Sequence, residues 1–191
     1  MYYADFDGNG STETILCNYK NEAYYPLLGL DELASQIVSL RKKFTSYKSF
    51  AGKSIDEIFE KSVLKKARIL EVHTLASGYL KNENNTFTFI PFKNELQVSP
   101  ISAFLEYDFN ADGDNEVLVA GNYFGVSPYQ GRFDSFPGAL IFNEDKVVLG
   151  NKIGLDFNQK AVKKLNIIKV QNKSYVLATI NNDHAQVYEL T

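Results

Sequence analysis

One nine-residue acidic turn occurs twice in this chain, each time between two apolar stretches. Asp5-Phe6-Asp7-Gly8-Asn9-Gly10-Ser11-Thr12-Glu13 leads into Thr14-Ile15-Leu16-Cys17, and Asp108-Phe109-Asn110-Ala111-Asp112-Gly113-Asp114-Asn115-Glu116 leads into Val117-Leu118-Val119-Ala120. The copies align without gaps. Asp or Asn fills positions one, three and five, Gly position six and Glu position nine. Tyr2-Tyr3-Ala4 precedes the first copy and Ile101 to Tyr107 the second, so each unit reads strand, acidic turn, strand. A turn this short joins antiparallel neighbours, which points to a mostly β fold.

The turn has a chemistry as well as a shape. Calcium takes six to eight hard oxygen ligands at roughly 2.3–2.6 Å, several of them carboxylate. Acidic and amide side chains at alternate positions aim oxygens into one hollow, and the glycine permits the sharp bend. The candidate ligands are Asp5, Asp7, Asn9 and Glu13 with the Ser11 carbonyl, and Asp108, Asn110, Asp112 and Glu116 with the Asp114 carbonyl. These are not EF-hands, which carry a bidentate Glu at position twelve inside an exiting helix. Here position twelve is Leu16 or Val119, on an expected strand. The same pattern also makes a plain Asx turn that needs no ion.

Further strands are expected over Arg68 to Leu80, Thr86 to Phe92, Ala139 to Asn143, Lys146 to Leu149, Leu165 to Val170, Tyr175 to Ile180 and Gln186 to Leu190. Asn82-Glu83-Asn84-Asn85 and Asn181-Asn182-Asp183 punctuate them as turns. An insertion of two helices is expected over residues 31–67. Asp31 can cap a helix to about Phe44, with Leu33, Ile37, Leu40 and Phe44 on one face, and Ser54 with Glu57 forms a capping-box pattern ahead of Ile58, Phe59 and Leu64. The basic residues of this stretch read as a solvated helix face.

Composition narrows the function. With 191 residues, 45% of them apolar and 14% aromatic, the chain can bury a core. The net charge of -3 gives no reason to expect nucleic-acid binding. No apolar run is long enough to span a bilayer. A signal peptide is not recognisable, and Tyr2-Tyr3-Ala4-Asp5 reads as the inside of a strand, as in a piece of a longer protein. Cys17 is the only cysteine, which excludes an internal disulfide and a Cys-based zinc cluster. Gly52-Lys53-Ser54 resembles the end of a phosphate loop, but Tyr47 stands where its first glycine belongs. His73 and His184 are isolated and read as structural or solvated. No nucleophile elbow is present; the many carboxylates leave a glycosidase-like pair open, but the clustered ones are used by the turn pattern, and no catalytic activity is expected. The segment from Asn122 to Pro137 carries Tyr123, Phe124, Tyr129, Phe133 and Phe136. Its rings, with Arg132 and Asp134, can stack on a sugar or grip a protein; equally, they can seal the fold while Arg132 and Asp134 pair locally.

Asp-x-Asp-Gly-Asn-Gly-x-x-Glu and Asp-x-Asn-x-Asp-Gly-Asp-x-Glu are similar to the calcium loops of FG-GAP/VCBS-type repeats. Gly121-Asn122-Tyr123-Phe124-Gly125, Gly131-Arg132-Phe133-Asp134, Gly138 and the ending Asn181-Asn182-Asp183 to Val187 resemble the C-terminal blades of such proteins from Bacteroidetes. The resemblance implies β-propeller-like blades of four antiparallel strands. Blade one spans about 1–95 including the helical insertion, blade two about 96–152, and a partial third about 153–191. That third copy has only Leu155-Asp156-Phe157-Asn158, without Gly or Glu, and no metal is assigned to it. Fewer than three full blades cannot close a ring. The resemblance further implies a calcium-binding, non-catalytic module of an exported or surface protein. Its partner would be a protein, a glycan or the remaining blades of the same protein. The alternative is an accessory domain of a polysaccharide-processing enzyme.

Overall fold

A computed structural model of the chain describes residues 1–126, 131–143 and 146–190. The described residues fall into two compact units, Met1–Thr74 and Leu75–Thr191. The fold is mostly β, with its strands in several small antiparallel sheets.

The first unit holds β1 (Tyr2–Ala4), β2 (Glu13–Ile15), β3 (Cys17–Lys20) and β4 (Ala23–Pro26). Five short helices follow, α1 (Leu30–Gln36), α2 (Leu40–Lys43), α3 (Tyr47–Phe50), α4 (Ile55–Ile58) and α5 (Lys61–Leu64), and then β5 (Arg68–Ile69). The first acidic turn joins β1 to β2, and β5 lies on the other side of β1, giving the order β2-β1-β5. β3 and β4 form a hairpin around Asn21 and Glu22, both at positive φ, as a two-residue type I′ turn requires. The helices bury Leu33, Ile37, Leu40, Phe44, Ile55 and Ile58 with Tyr2, Phe6 and Ile15 from the strands.

The expected two-helix insertion is corrected to these five short helices. The apolar face drawn across Leu33, Ile37, Leu40 and Phe44 is buried, but the helix under it breaks at Ile37-Val38, where two β-branched residues meet. Asp31 is not the cap. Glu32 folds back onto the Gly29 N–H at 2.8 Å, which starts α1 at Leu30 and leaves Asp31 to bind Tyr47 and Arg41. The Ser54–Glu57 pattern does start α4, with the Glu57 carboxylate 2.8 Å from the Ser54 N–H. That helix stops after one turn because Phe59 is extended, and a new helix starts after Glu60.

The second unit opens with the hairpin β6 (Gly78–Glu83) and β7 (Thr86–Pro91), turning on Asn84 and Asn85 at positive φ. The expected strand from Arg68 to Leu80 is therefore two strands, β5 and β6, in different units. Leu70 still exchanges hydrogen bonds with Met1 and the Ser77 carbonyl accepts from Phe92, but residues 71–76 have no ladder partner among the described residues. This hairpin, read from sequence as the end of blade one, belongs to the second unit. Next come β8 (Ile101–Tyr107), β9 (Glu116–Gly121), β10 (Ala139–Ile141) and β11 (Val147–Leu149), a four-stranded antiparallel meander with the second acidic turn between β8 and β9. The last sheet is β12 (Val162–Val170), β13 (Lys173–Ile180) and β14 (Gln186–Glu189). One face of the meander packs on it through Ala103, Leu118, Ala120 and Leu140 against Val162, Leu165, Val176 and Ala178. The other face carries Val119 and Ala139 against Leu96 and Phe136. With apolar residues on both faces, β9 reads as a continuous hydrophobic run rather than an alternation.

Candidate metal centre

The two acidic turns join their flanking strands in the same register, although β1 is the central strand of its sheet and β8 an edge. Ala4 lies opposite Glu13 across β1 and β2, and Tyr107 lies opposite Glu116 across β8 and β9. Position nine therefore starts the second strand each time, and its carboxylate points back under the turn.

Five hydrogen bonds recur between the copies. The position-one carboxylate accepts from the N–H of position five, Asn9 to Asp5 at 3.1 Å and Asp112 to Asp108 at 3.2 Å. It also accepts from the glycine at position six, Gly10 to Asp5 at 2.9 Å and Gly113 to Asp108 at 3.1 Å. Position three accepts from position five, Asn9 to Asp7 at 3.2 Å and Asp112 to Asn110 at 2.9 Å. Position five accepts from position seven, Ser11 to Asn9 at 2.7 Å and Asp114 to Asp112 at 2.9 Å. Position nine accepts from position two, Phe6 to Glu13 at 3.0 Å and Phe109 to Glu116 at 2.9 Å. Converging N–H groups favour the ionised carboxylates. The Gly10 N–H, foremost, holds the Asp5 carboxyl below its ordinary range, and the Asp114 N–H does the same for Asp112. Gly10 and Gly113 sit at φ +87° and +97°, where a side chain would be strained.

Position two is a functional feature that sequence reasoning passed over. Phe6 is buried in the first core against Phe59, with ring centroids 4.6 Å apart, and Phe109 packs on the second core beside Tyr107. Each ring pins the start of its turn while its own N–H ties down the buried Glu. The signal was present as Asp-Phe-Asx, which recurs at Asp156-Phe157-Asn158, where Phe157 is fully buried and Asn158 donates to Asp156 at 3.0 Å.

The copies differ in what fills the hollow. In the first, Asp5, Asp7 and Glu13 each bring a carboxylate oxygen within 4.8 Å of the others. This donor set suits a hard cation, with Asn9 adding an amide oxygen and the Ser11 carbonyl nearby in the chain. Asp5, Asp7 and Gly8 also line an open hollow with Tyr3, Lys66 and Arg68, which leaves room for water. In the second, position three is Asn110, and its amide nitrogen donates to Asp112 at 2.8 Å and to Glu116 at 3.0 Å. The amide bridges two carboxylates as a cation would.

Tyr123, Phe124, Arg132 and Asp134 lie together after β9, while Tyr129 lies outside the described residues. Tyr123 and Phe133 exchange backbone hydrogen bonds at 2.8 and 3.1 Å and are 44% and 43% exposed. The Arg132 guanidinium lies 4.0 Å over the Phe124 ring and 3.7 Å from Asp134. Phe136 is fully buried. Asn122, 1% exposed, holds the segment in place. Its side-chain nitrogen donates to the carbonyls of Phe136, Phe157 and Lys160 at 3.0, 2.8 and 3.1 Å, and its oxygen accepts from the Phe136 N–H at 3.0 Å.

His73 is exposed, with Glu71 3.6 Å away, and His184 is exposed on a turn. Cys17 is partly buried on β3, and burial pushes its thiol up to about 11. Among the described residues no helix is long and apolar enough to cross a membrane. Comparison with protein-family models, with curated proteins and with solved structures returned no match.

Proposed function

We propose that the chain is a calcium-stabilised, non-catalytic interaction module of an exported or surface protein, built from propeller-type blades and presenting its surface to a protein or glycan partner. The observation that carries the calcium reading is the convergence of Asp5, Asp7 and Glu13 in a turn whose every acidic position is already preorganised by backbone N–H groups. Preorganisation matters because calcium then need not order the loop itself. The first turn takes the ion more tightly. In the second, the Asn110 amide competes for the same carboxylates and must turn away before an ion can enter.

The blade reading is supported by the meander β8–β11, apolar on both faces, with the acidic turn between its first two strands. The half-exposed Tyr123 and Phe133, with Arg132 stacked on Phe124, supply a partner surface of aromatic and cationic character.

Scanning calorimetry with calcium, magnesium or chelator tests the reading. A ligand bound only by the native state stabilises by mass action, by about 2.7 kcal/mol at a hundredfold excess over Kd. Millimolar calcium raises the melting temperature on this account, and magnesium, which needs a smaller octahedral shell, does so far less. Identical melting in calcium and chelator refutes it.

A further inference from the structure

Asn9-Gly10 is the one Asn-Gly step in the sequence. In such a step the backbone nitrogen of the glycine can attack the asparagine side-chain carbonyl carbon and close a five-membered ring, with no side chain on the attacking residue to obstruct it. Both residues are exposed, and no atom lies within 4 Å of where a Cβ on Gly10 would stand. Sterics therefore leave the attack open.

Hydrogen bonding restrains it. Asp5 Oδ2 accepts the Gly10 N–H at 2.9 Å, while Asp5 Oδ1 and Asp7 Oδ1 hold the Asn9 N–H at 3.1 and 3.2 Å. The Gly10 nitrogen becomes a nucleophile only after it loses its proton. A carboxylate accepting that N–H stabilises the protonated form, and its charge opposes the amide anion.

We propose that Asn9 is a spontaneous deamidation site and that the Asp5–Gly10 hydrogen bond sets its rate in the folded chain. The bond from Gly10 N to Asn9 Cγ forms and the Cγ–Nδ2 bond breaks. Ammonia leaves carrying the proton lost from Gly10 N. Water then opens the cyclic imide to aspartate on one side or isoaspartate on the other, with no change of oxidation state. Aspartate at position 9 gives the first turn the residue that Asp112 supplies in the second, adding a carboxylate to the hollow. Isoaspartate puts an extra methylene into the backbone and moves the Gly10 and Ser11 N–H groups off their acceptors.

The test uses the full chain with chelator present, so it is independent of calcium binding. Folded protein, the same protein in urea, Asp5→Ala and Asp5→Asn are incubated in mildly alkaline buffer, and the peptide containing residues 9 and 10 is followed by mass spectrometry. The folded chain deamidates roughly ten- to a hundredfold more slowly than the unfolded one, the factor that one charge-assisted hydrogen bond supplies. Asp5→Ala, shown to be folded by circular dichroism, closes most of that gap. Asp5→Asn, which retains an uncharged acceptor, falls between. Equal rates for folded and urea-unfolded wild type overturn the proposal whatever the variants do. A folded Asp5→Ala or Asp5→Asn chain as slow as wild type also overturns it.

Discussion

Replacing Asn122 with alanine removes the polar staple of the second unit, and the structure sets the size of the loss. Four hydrogen bonds go at a residue only 1% exposed. The Phe157 and Lys160 carbonyls keep another donor each, the N–H groups of Lys160 and Val162 at 3.1 and 3.0 Å. The N–H and carbonyl of Phe136 lose the side chain that served both. Two buried groups left wanting cost about 1–2 kcal/mol each. Asn122 also sits at φ 78°, which asparagine tolerates better than alanine, for about another 1 kcal/mol. The total of about 3–5 kcal/mol lowers the melting temperature of this unit by roughly 10–20 °C. Denaturant unfolding followed by fluorescence and calorimetry measures both. Asn122→Asp adds a sharper version. A carboxylate placed against three carbonyls is favoured protonated, so its folded-state pKa rises above the unfolded one. The aspartate variant therefore gains stability as pH falls and loses it as pH rises through that raised pKa. A loss under about 1 kcal/mol for the alanine variant, well short of the cost of two orphaned groups, refutes the staple account.

Glu57 titrates at about 2, held there first by Lys53 and then by the Ser54 N–H. Because its folded pKa is depressed, its contribution to stability is complete above the ordinary value and is lost as pH falls toward 2; an NMR titration of wild type and Lys53→Met checks this, the variant titrating higher. With its thiol pushed up to about 11 by burial, Cys17 reacts slowly with a thiol reagent at neutral pH and speeds up on unfolding. Reaction as fast in native buffer as in urea contradicts the burial. Glu116→Ala leaves the N–H of Phe109 without its acceptor and takes from the Asn110 amide one of its two, for about 2 kcal/mol by denaturant unfolding in chelator.

What was legible in the sequence is what is local. The turns were readable because each of their five recurring hydrogen bonds spans at most seven residues, so residue type and spacing determine them. The strands β12, β13 and β14 were readable from β-branched and aromatic runs with turns between. Elements that depend on distant partners were not. The run from Arg68 to Leu80 is apolar enough for one strand, yet only Arg68 and Ile69 find β1, and the hairpin begins anew at Gly78. The β3–β4 hairpin was missed because Glu22, one of its two left-handed residues, is not a turn-forming type. Helical periodicity placed the buried face of residues 33–44 correctly but not the break at Ile37-Val38, which leaves that face intact. Asn122 stands in the sequence only as the start of the aromatic segment; its partners lie 14 to 38 residues away, and no local pattern announces them.

The central claim is that the first acidic turn is a calcium site, and isothermal titration of calcium into the full, chelator-stripped chain tests it most directly. Wild type takes up one equivalent at the tighter site, with any second uptake weaker because the Asn110 amide must leave Asp112 and Glu116. Asp7→Ala removes one of the three converging carboxylates and abolishes the tighter phase, and Asp112→Ala leaves it in place. No heat of binding up to millimolar calcium, or a tighter phase that survives Asp7→Ala and disappears in Asp112→Ala, contradicts the account.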